Sequence, residues 1–591
     1  MLAIAAIALL ALFLHGGLLA SLVQILAVPA TIAHLVAAIC SLLAFYGGYL
    51  WFVDPQRAQA GSVESRWARF CLAVIIYAVL LRLLYLGVPE LLFEEAYYWN
   101  YAKHLDIGYL DHPLMVAWII RLFVALMGNI EFAVRAGAFL CWLATAWFSY
   151  RLTRDVLGQA AAHRALALIA VLPVYFFFGL LMIPDAPLAA CWAAAIYFMH
   201  QIVVGEKPRA WLWLGAAIGL GMISKFTIAL LGAAIVLYVL VDRPSRRWLA
   251  RPEPYFAVLI ALVLFSPVII WNWQHEWASF SFQSQHRMAG TFSFSLPRLI
   301  GNVIVLLTPT GILSVIAMVV CRRQITAGFP PPAASAVTLE RSQFLLAWLT
   351  LFPLAVFAAV SVFRESKLNW TGPSWLALVP FLALLVTPGL ESGVPRLLTW
   401  CRRAWPPTIV VCLLFYGAAM HWLGPGLPGV SYPRNVDLIG WRNLGRDVEL
   451  LVQQLTRETG REMLVVGMDR NRTASWLAFY RTQYIDAAGV ETRYDPAFQT
   501  AGENLFGGGG LMYALWFPVG QQEGKTMLLV GKDASSLSSD RVLSRAKTAG
   551  DIGEIEVWKN GRPAGRYHYR LITGYQAGAA ASAATDAGQN H

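Results

Sequence analysis

Leu92-Phe-Glu-Glu-Ala-Tyr-Tyr-Trp99 stands directly after an apolar run that ends near Leu86, and Tyr109-Leu-Asp-His-Pro113 follows close behind. Ionisable groups this near to hydrocarbon are costly and are kept where they are used. Glu94, Glu95, Asp111 and His112 therefore read as a functional segment written at a membrane surface, with aromatic side chains packed around the acids.

The composition around that segment supports a polytopic membrane protein. The chain has 591 residues, of which 58% are hydrophobic and 13% charged, and its mean hydropathy is +0.57. Trp and Tyr (23 and 22) are plentiful, as interfacial belts require. A formal charge of +11 would suit a nucleic-acid binder, but the cations sit in short clusters between apolar runs, where they set topology instead. No nucleic acid is expected as a partner. The seven cysteines lie in or beside apolar segments without metal-ligand spacing, so they read as small hydrophobes. The N-terminus lacks a basic region and a small-residue cleavage site, and reads as an anchor.

Apolar runs of spanning length, about 20 residues, fall near 2–27, 30–53, 69–88, 132–150, 165–183, 186–204, 211–224, 226–241, 255–272, 299–320, 343–362, 373–388 and 407–424. With about thirteen spans, the clusters at Arg57/Arg66/Arg69, Arg151/Arg154/Arg164, Lys207/Arg209, Arg243–Arg251, Arg322/Arg323/Arg341 and Arg396/Arg402/Arg403 all land on one face. The positive-inside rule makes that face cytoplasmic. The acidic–aromatic segment, Ile183–Pro187, Ser224-Lys225, Trp273–Pro297, Arg364–Pro373 and everything after Gly424 then lie on the opposite, outer face.

The domain organisation expected is two N-terminal transmembrane helices (1–55), a membrane domain (69–424), a small C-terminal extramembrane α/β domain (430–575) and a low-complexity tail (576–591). In the α/β domain Met463–Val466 and Met527–Val530 read as buried strands, and Asp447–Thr456 and Thr473–Arg481 as helices. Val116–Met127 has helical apolar spacing around Arg121 and reads as an amphipathic helix lying along the interface.

At this point a resemblance can be stated. Glu94-Glu-Ala-Tyr-Tyr-Trp99 and Tyr109-Leu-Asp-His-Pro113 resemble the first outer loop of glycosyltransferase family 39 and its GT-C relatives. Those relatives include protein O-mannosyltransferases and the aminoarabinose and galacturonosyl transferases of lipid A. Pro184-Asp-Ala-Pro187, Ser224-Lys-Phe-Thr227, Trp271–Trp277, Phe282-Gln283 with His286-Arg287, and Arg364–Trp370 follow in order. Family members usually carry Asp-Glu where this chain has Glu94-Glu95, and often a second Pro where it has Leu114.

The resemblance implies a GT-C helical bundle that moves a sugar from a polyprenyl-phosphate donor, with inversion, in a bacterial inner membrane. The acceptor would be lipid A, another envelope glycan or lipopolysaccharide, or a protein. Such a transfer needs a carboxylate to take the acceptor's proton and cations to hold the departing phosphate. Glu94 is the candidate base, with Glu95, Asp111 and Asp185 as further catalytic acids. His112, Lys225, Arg364 and Lys367 are candidate phosphate contacts, and Tyr97, Trp271, His286 and Arg287 candidate sugar or acceptor contacts. No metal motif is present, and the need for a divalent cation is left open. Plainer roles compete: Asp185 as a helix cap, Lys225 as a snorkelling interfacial lysine, the aromatics as belt residues. The rival function is a multi-span transporter or lipid flippase, but no pair of related halves with midplane charge is visible.

Overall fold

The computed structural model describes residues 1–286, 292–321, 336–386, 395–433, 438–489 and 494–578. In chain order its principal helices are α1 (Leu2–Gln24), α2 (Ala30–Phe52), α3 (Val63–Tyr85), α4 (Phe93–Lys103), α5 (Met115–Met127), α6 (Glu131–Leu157), α7 (Gln159–Val171), α8 (Asp185–Val203), α9 (Ala210–Met222), α10 (Ile228–Val241), α11 (Glu253–Gln274), α12 (Leu296–Val320), α13 (Ala336–Phe363), α14 (Arg396–Leu423), α15 (Trp441–Thr459) and α16 (Arg472–Ala488). Strands are β1 (Met463–Gly467), β2 (Thr500–Ala501), β3 (Thr526–Gly531), β4 (Ala546–Lys559) and β5 (Arg562–Tyr575).

Nine helices among the described residues are long and apolar enough to cross a membrane, or ten if one bent pair counts as a span. The remaining apolar runs are shorter or broken for local reasons. In 165–183 the helix stops at Val171 because Leu172, preceding Pro173, takes an extended ψ of 132°. Runs 211–224 and 226–241 become α9 and α10, separated at the Ser224-Lys225 corner, and α10 turns by 104° into a 3₁₀ segment at Arg243–Ala250. The run at 373–388 opens as a 3₁₀ helix, Gly372–Leu378, before a single short helix. Inside α12 Thr308 has φ +68° just before Pro309, which kinks the span.

The chain divides into two compact units. The first comprises residues 1–86, 112–116 and 135–421. It is wholly helical, and α1 is seated on α3 and α14 through glycines. A β-carbon on Gly16 would fall 2.1 Å from the His421 ring, one on Gly17 2.5 Å from Tyr85, and one on Gly417 2.4 Å from Phe13. Small residues let spanning helices approach this closely. Arg82 is fully buried in this unit. It donates to the carbonyls of Phe176 (3.2 Å) and Ala170 (2.7 Å) and lies between the rings of Trp142 and Phe176. All seven cysteines are free thiols.

The second unit comprises residues 87–111, 117–134 and 422–591. Its sheet runs β2-β1-β3-β5-β4, with β1 parallel to β2 and β3, and β5 antiparallel to β3 and β4. The three parallel strands are buried along their whole length and read as unbroken apolar runs, as parallel strands do. Residues 87–92 are tied into this unit by polar groups. Tyr480 Oη accepts from Leu91 N (2.7 Å), and Trp476 Nε1 donates to Leu91 O (2.8 Å). Glu90 accepts from Trp441 N (2.6 Å) and pairs with Lys559 (2.9 Å), while Glu131 pairs with Arg442 (2.6 Å).

Candidate functional site

In the second unit the acidic–aromatic segment is a helix rather than an open loop. The start of α4 carries Glu94 and Glu95 and its last turn Lys103, a charge order that complements the helix dipole. Glu95 is fully buried, and its Oε2 accepts from Leu92 N at 3.0 Å, so this acid closes the first turn. Glu94, one position earlier, is half-buried and the most exposed of the three acids of this segment. Asp111 is buried and gathers phenols: Tyr97 donates to its Oδ1 at 3.1 Å, and Tyr101 makes a short hydrogen bond to the same atom. Tyr97 Oη in turn accepts from Met512 N at 3.1 Å. Burial, and then the Asp111 charge, push both phenols well above the ordinary tyrosine range, so they remain donors. Tyr97, 3% exposed, is thus part of the Asp111 network.

In the first unit a second polar cluster forms among apolar helices. Asp185 opens α8, and none of its hydrogen bonds caps that helix. Both of its carboxylate oxygens lie 2.8 Å from Lys225 Nζ, and Asn369 Nδ2 donates to Oδ2 at 2.8 Å. Asp185 and Lys225 are 2% and 8% exposed, so Lys225 is a buried partner and does not snorkel. Ser224 Oγ donates to Pro184 O (2.8 Å), which fixes the corner beside Lys225 to the start of α8. His112 is half-buried at the head of a segment that reaches the same corner, where Met115 N donates to Ile223 O at 2.9 Å.

Arg364 is half-buried and Lys367 exposed, in the turn after α13. Ser295 shapes this turn: its Oγ accepts from Ser366 N (2.9 Å) and donates to Arg364 O (2.5 Å), and Arg298 pairs with Glu365. Trp271, 1% exposed near the end of α11, stacks on His275 with ring centres 4.1 Å apart. The side chains of His286 and Arg287 lie outside the described residues. No group of three or more His, Cys, Asp or Glu that could hold a metal ion is assembled among the described residues.

The structure therefore brings together Asp185, Lys225 and Asn369 in one unit, and Tyr97, Tyr101 and Asp111 in the other. Asn369 was not singled out from sequence, although it sits in the Arg364–Trp370 motif; a single Asn between Leu368 and Trp370 gives no spacing signal of its own. Tyr101 could have been found, since it follows Tyr97 by one helical turn.

Residues 111–271 match the family of dolichyl-phosphate-mannose-protein mannosyltransferases. Lipid A galacturonosyltransferase RgtD of Rhizobium johnstonii is 27% identical over 186 residues, 31% of this chain and 38% of that protein. The lipopolysaccharide core galacturonosyltransferase RgtA of the same organism is 25% identical over 392 residues, 64% of this chain and 76% of that protein. Among solved structures, ArnT of Cupriavidus metallidurans bound to undecaprenyl phosphate superposes with a TM-score of 0.53 at 16% identity, covering 85% of this chain and 98% of ArnT. The chain has the fold of ArnT and is similar in sequence to galacturonosyltransferases of lipid A and of the lipopolysaccharide core.

Proposed function

We propose that this protein is a glycosyltransferase of the bacterial inner membrane. It moves a sugar from a polyprenyl-phosphate donor to a hydroxyl of lipid A or lipopolysaccharide at the periplasmic face, with inversion. One observation carries the reading. The segments beginning at His112 and Asp185, and the corner at Lys225, all fall inside the family match and are joined by hydrogen bonds in an otherwise apolar helical unit. The names of the relatives support lipid A and lipopolysaccharide core as the acceptor class.

In the proposed step the acceptor oxygen attacks the anomeric carbon while the bond from that carbon to the phosphate oxygen breaks. The acceptor's proton goes to the Glu94 carboxylate, and the electron pair leaves on the phosphate. Glu94 suits the base because Glu95 closes the helix turn and Asp111 is held by two phenols. Glu94 stands in the first turn of α4, where the helix dipole favours the ionised carboxylate. Arg364 and Lys367 provide charge for the departing phosphate. Lys225 directs its ammonium to Asp185, so its part is to hold that corner and to offer a remaining N–H. His112 contributes a donor at the same corner.

The test is transfer by the purified full chain from a radiolabelled polyprenyl-phosphate sugar to lipid A in detergent. Label in lipid A is expected; label that stays on the donor with a folded protein and a panel of polyprenyl-phosphate sugars would overturn the reading. A reporter fused after Gly489 checks the orientation: alkaline phosphatase is expected to be active there and a cytoplasmic fluorescent protein dark.

A further inference from the structure

α1 and α2 enclose, with α3 and α14, an apolar groove of about 500 Å³. Ala3, Ala6, Leu10, Ala44, Gly47 and Leu80 are among its walls, and the Tyr77 hydroxyl on one wall is bonded to Leu10 O at 3.1 Å. The groove opens to the surroundings of the spanning helices, and its apolar walls offer water almost nothing to bond. Hydrocarbon is the filling that fits them.

One end of the groove is different. Trp51, Phe52 and Phe70 line it, with Trp67 edge-on to Phe70 at 5.7 Å, a cluster of the kind found at the headgroup level. Arg66 is one helical turn before Phe70 on α3, and Ala73, Val74 and Tyr77 continue the stripe along the wall. Arg57 stands in the connection before α3, and Arg69 in the second turn of α3 itself. Arg69 donates to Arg57 O (2.9 Å) and Ala60 O (2.8 Å), which braces the turn without neutralising either charge. Among the described residues no carboxylate forms an ion pair with Arg57, Arg66 or Arg69.

We propose that α1 and α2 build a binding site for one anionic glycerophospholipid. Its acyl chain occupies the groove, and its phosphate sits on the arginine rim of Arg57, Arg66 and Arg69. Charge complementarity selects the ligand: a zwitterionic lipid offers the same chain but brings its own cation to a rim that already carries three. The site is independent of the proposed transfer reaction.

Gly47 supplies the decisive variant. It lines the groove, and a β-carbon there meets nothing within 4 Å, so Gly47→Phe fills the space without displacing a neighbour. The full chain, purified in detergent, is titrated with phosphatidylglycerol and with phosphatidylethanolamine and read by native mass spectrometry. One phosphatidylglycerol per chain is expected, bound about tenfold more tightly than phosphatidylethanolamine. Gly47→Phe should abolish the adduct, and Arg57→Gln/Arg66→Gln, which alters only a surface turn and the rim, should remove the preference for the anionic lipid. Equal retention of both lipids by the wild type, no adduct at all, or a Gly47→Phe protein that binds phosphatidylglycerol like the wild type would overturn the proposal.

Discussion

Asp185 and Asp111 are both buried carboxylates, yet the two units treat them in opposite ways. Asp185 meets an ammonium on both oxygens, so its charge is cancelled where it stands. Asp111 takes hydrogen bonds from two neutral phenols, which steady the carboxylate through dipoles. Glu94 and Glu95 stand in the first turn of α4. The contrast teaches how each unit fastens a buried acid: the first holds shape with a neutral ion pair, and the second uses phenol donors on the same helix that carries Glu94.

The largest effect should come from the segment that carries Glu94. Glu94→Gln is expected to lower turnover about 10²–10⁴-fold, the usual loss for a general base, with no change in thermal midpoint. Normal turnover would move the base to Asp111. On the neutral side the signature reverses. Asp185→Ala strands the Lys225 ammonium in a buried site and should destabilise the protein by about 3–5 kcal/mol. Asp185→Leu/Lys225→Met should recover most of that in thermal melting, because a matched apolar pair replaces a matched ionic one. If the double variant melts as low as the single, the pair is more than a neutral clamp.

A third variant sharpens the role of the remaining cations. Arg364→Ala should weaken binding of polyprenyl phosphate by about 1.5–3 kcal/mol, the scale of one charge-assisted hydrogen bond. Arg402→Ala, in a topology cluster, should leave the affinity unchanged, and equal behaviour would make both interfacial anchors. The smallest effect concerns pH. His104 is stacked on Trp516 at 4.4 Å, and burial holds its pKa down at about 4. The folded ring is therefore neutral where an unfolded one begins to take up a proton. Stability should fall as the pH drops below the unfolded value near 6.5, by on the order of 1 kcal/mol between pH 7.5 and 5.5. His104→Gln should flatten that slope, and an unchanged slope would assign it to other groups.

Helices and strands of the C-terminal region were legible wherever apolar periodicity was clear. Met463–Val466 is β1 less one residue, and Val116–Met127 is α5 less one, with Trp118, Leu122 and Leu126 exposed in one stripe at four-residue spacing. The β4–β5 hairpin escaped, because its fourteen-residue strands alternate around Glu554, Glu556, Arg566 and Arg570 with few apolar residues. Its signal was nonetheless present: Asn560-Gly561 adopts φ of 51° and 72°, the two-residue turn this dipeptide favours. For the candidate site, sequence could name Asp185 and Lys225 but not their bond, since 40 residues separate them and pairing depends on packing. Division of labour between Glu94 and Glu95 was hidden for the opposite reason. Adjacent identical side chains differ only in which one the helix geometry turns back toward Leu92 N.

The glycine seat of α1 also sets an order of events during synthesis. Gly16 leaves the ribosome 405 residues before His421, the ring it receives, and Gly417 arrives equally late for Phe13. At ordinary elongation rates that interval is roughly 20–80 s. For that time the first helix can already seat Gly17 on Tyr85 of α3, while the Gly16 position still lacks its ring. Its docking on α14 is thus the late step of membrane assembly, and a chain stalled before α14 leaves its first helix without its last partner.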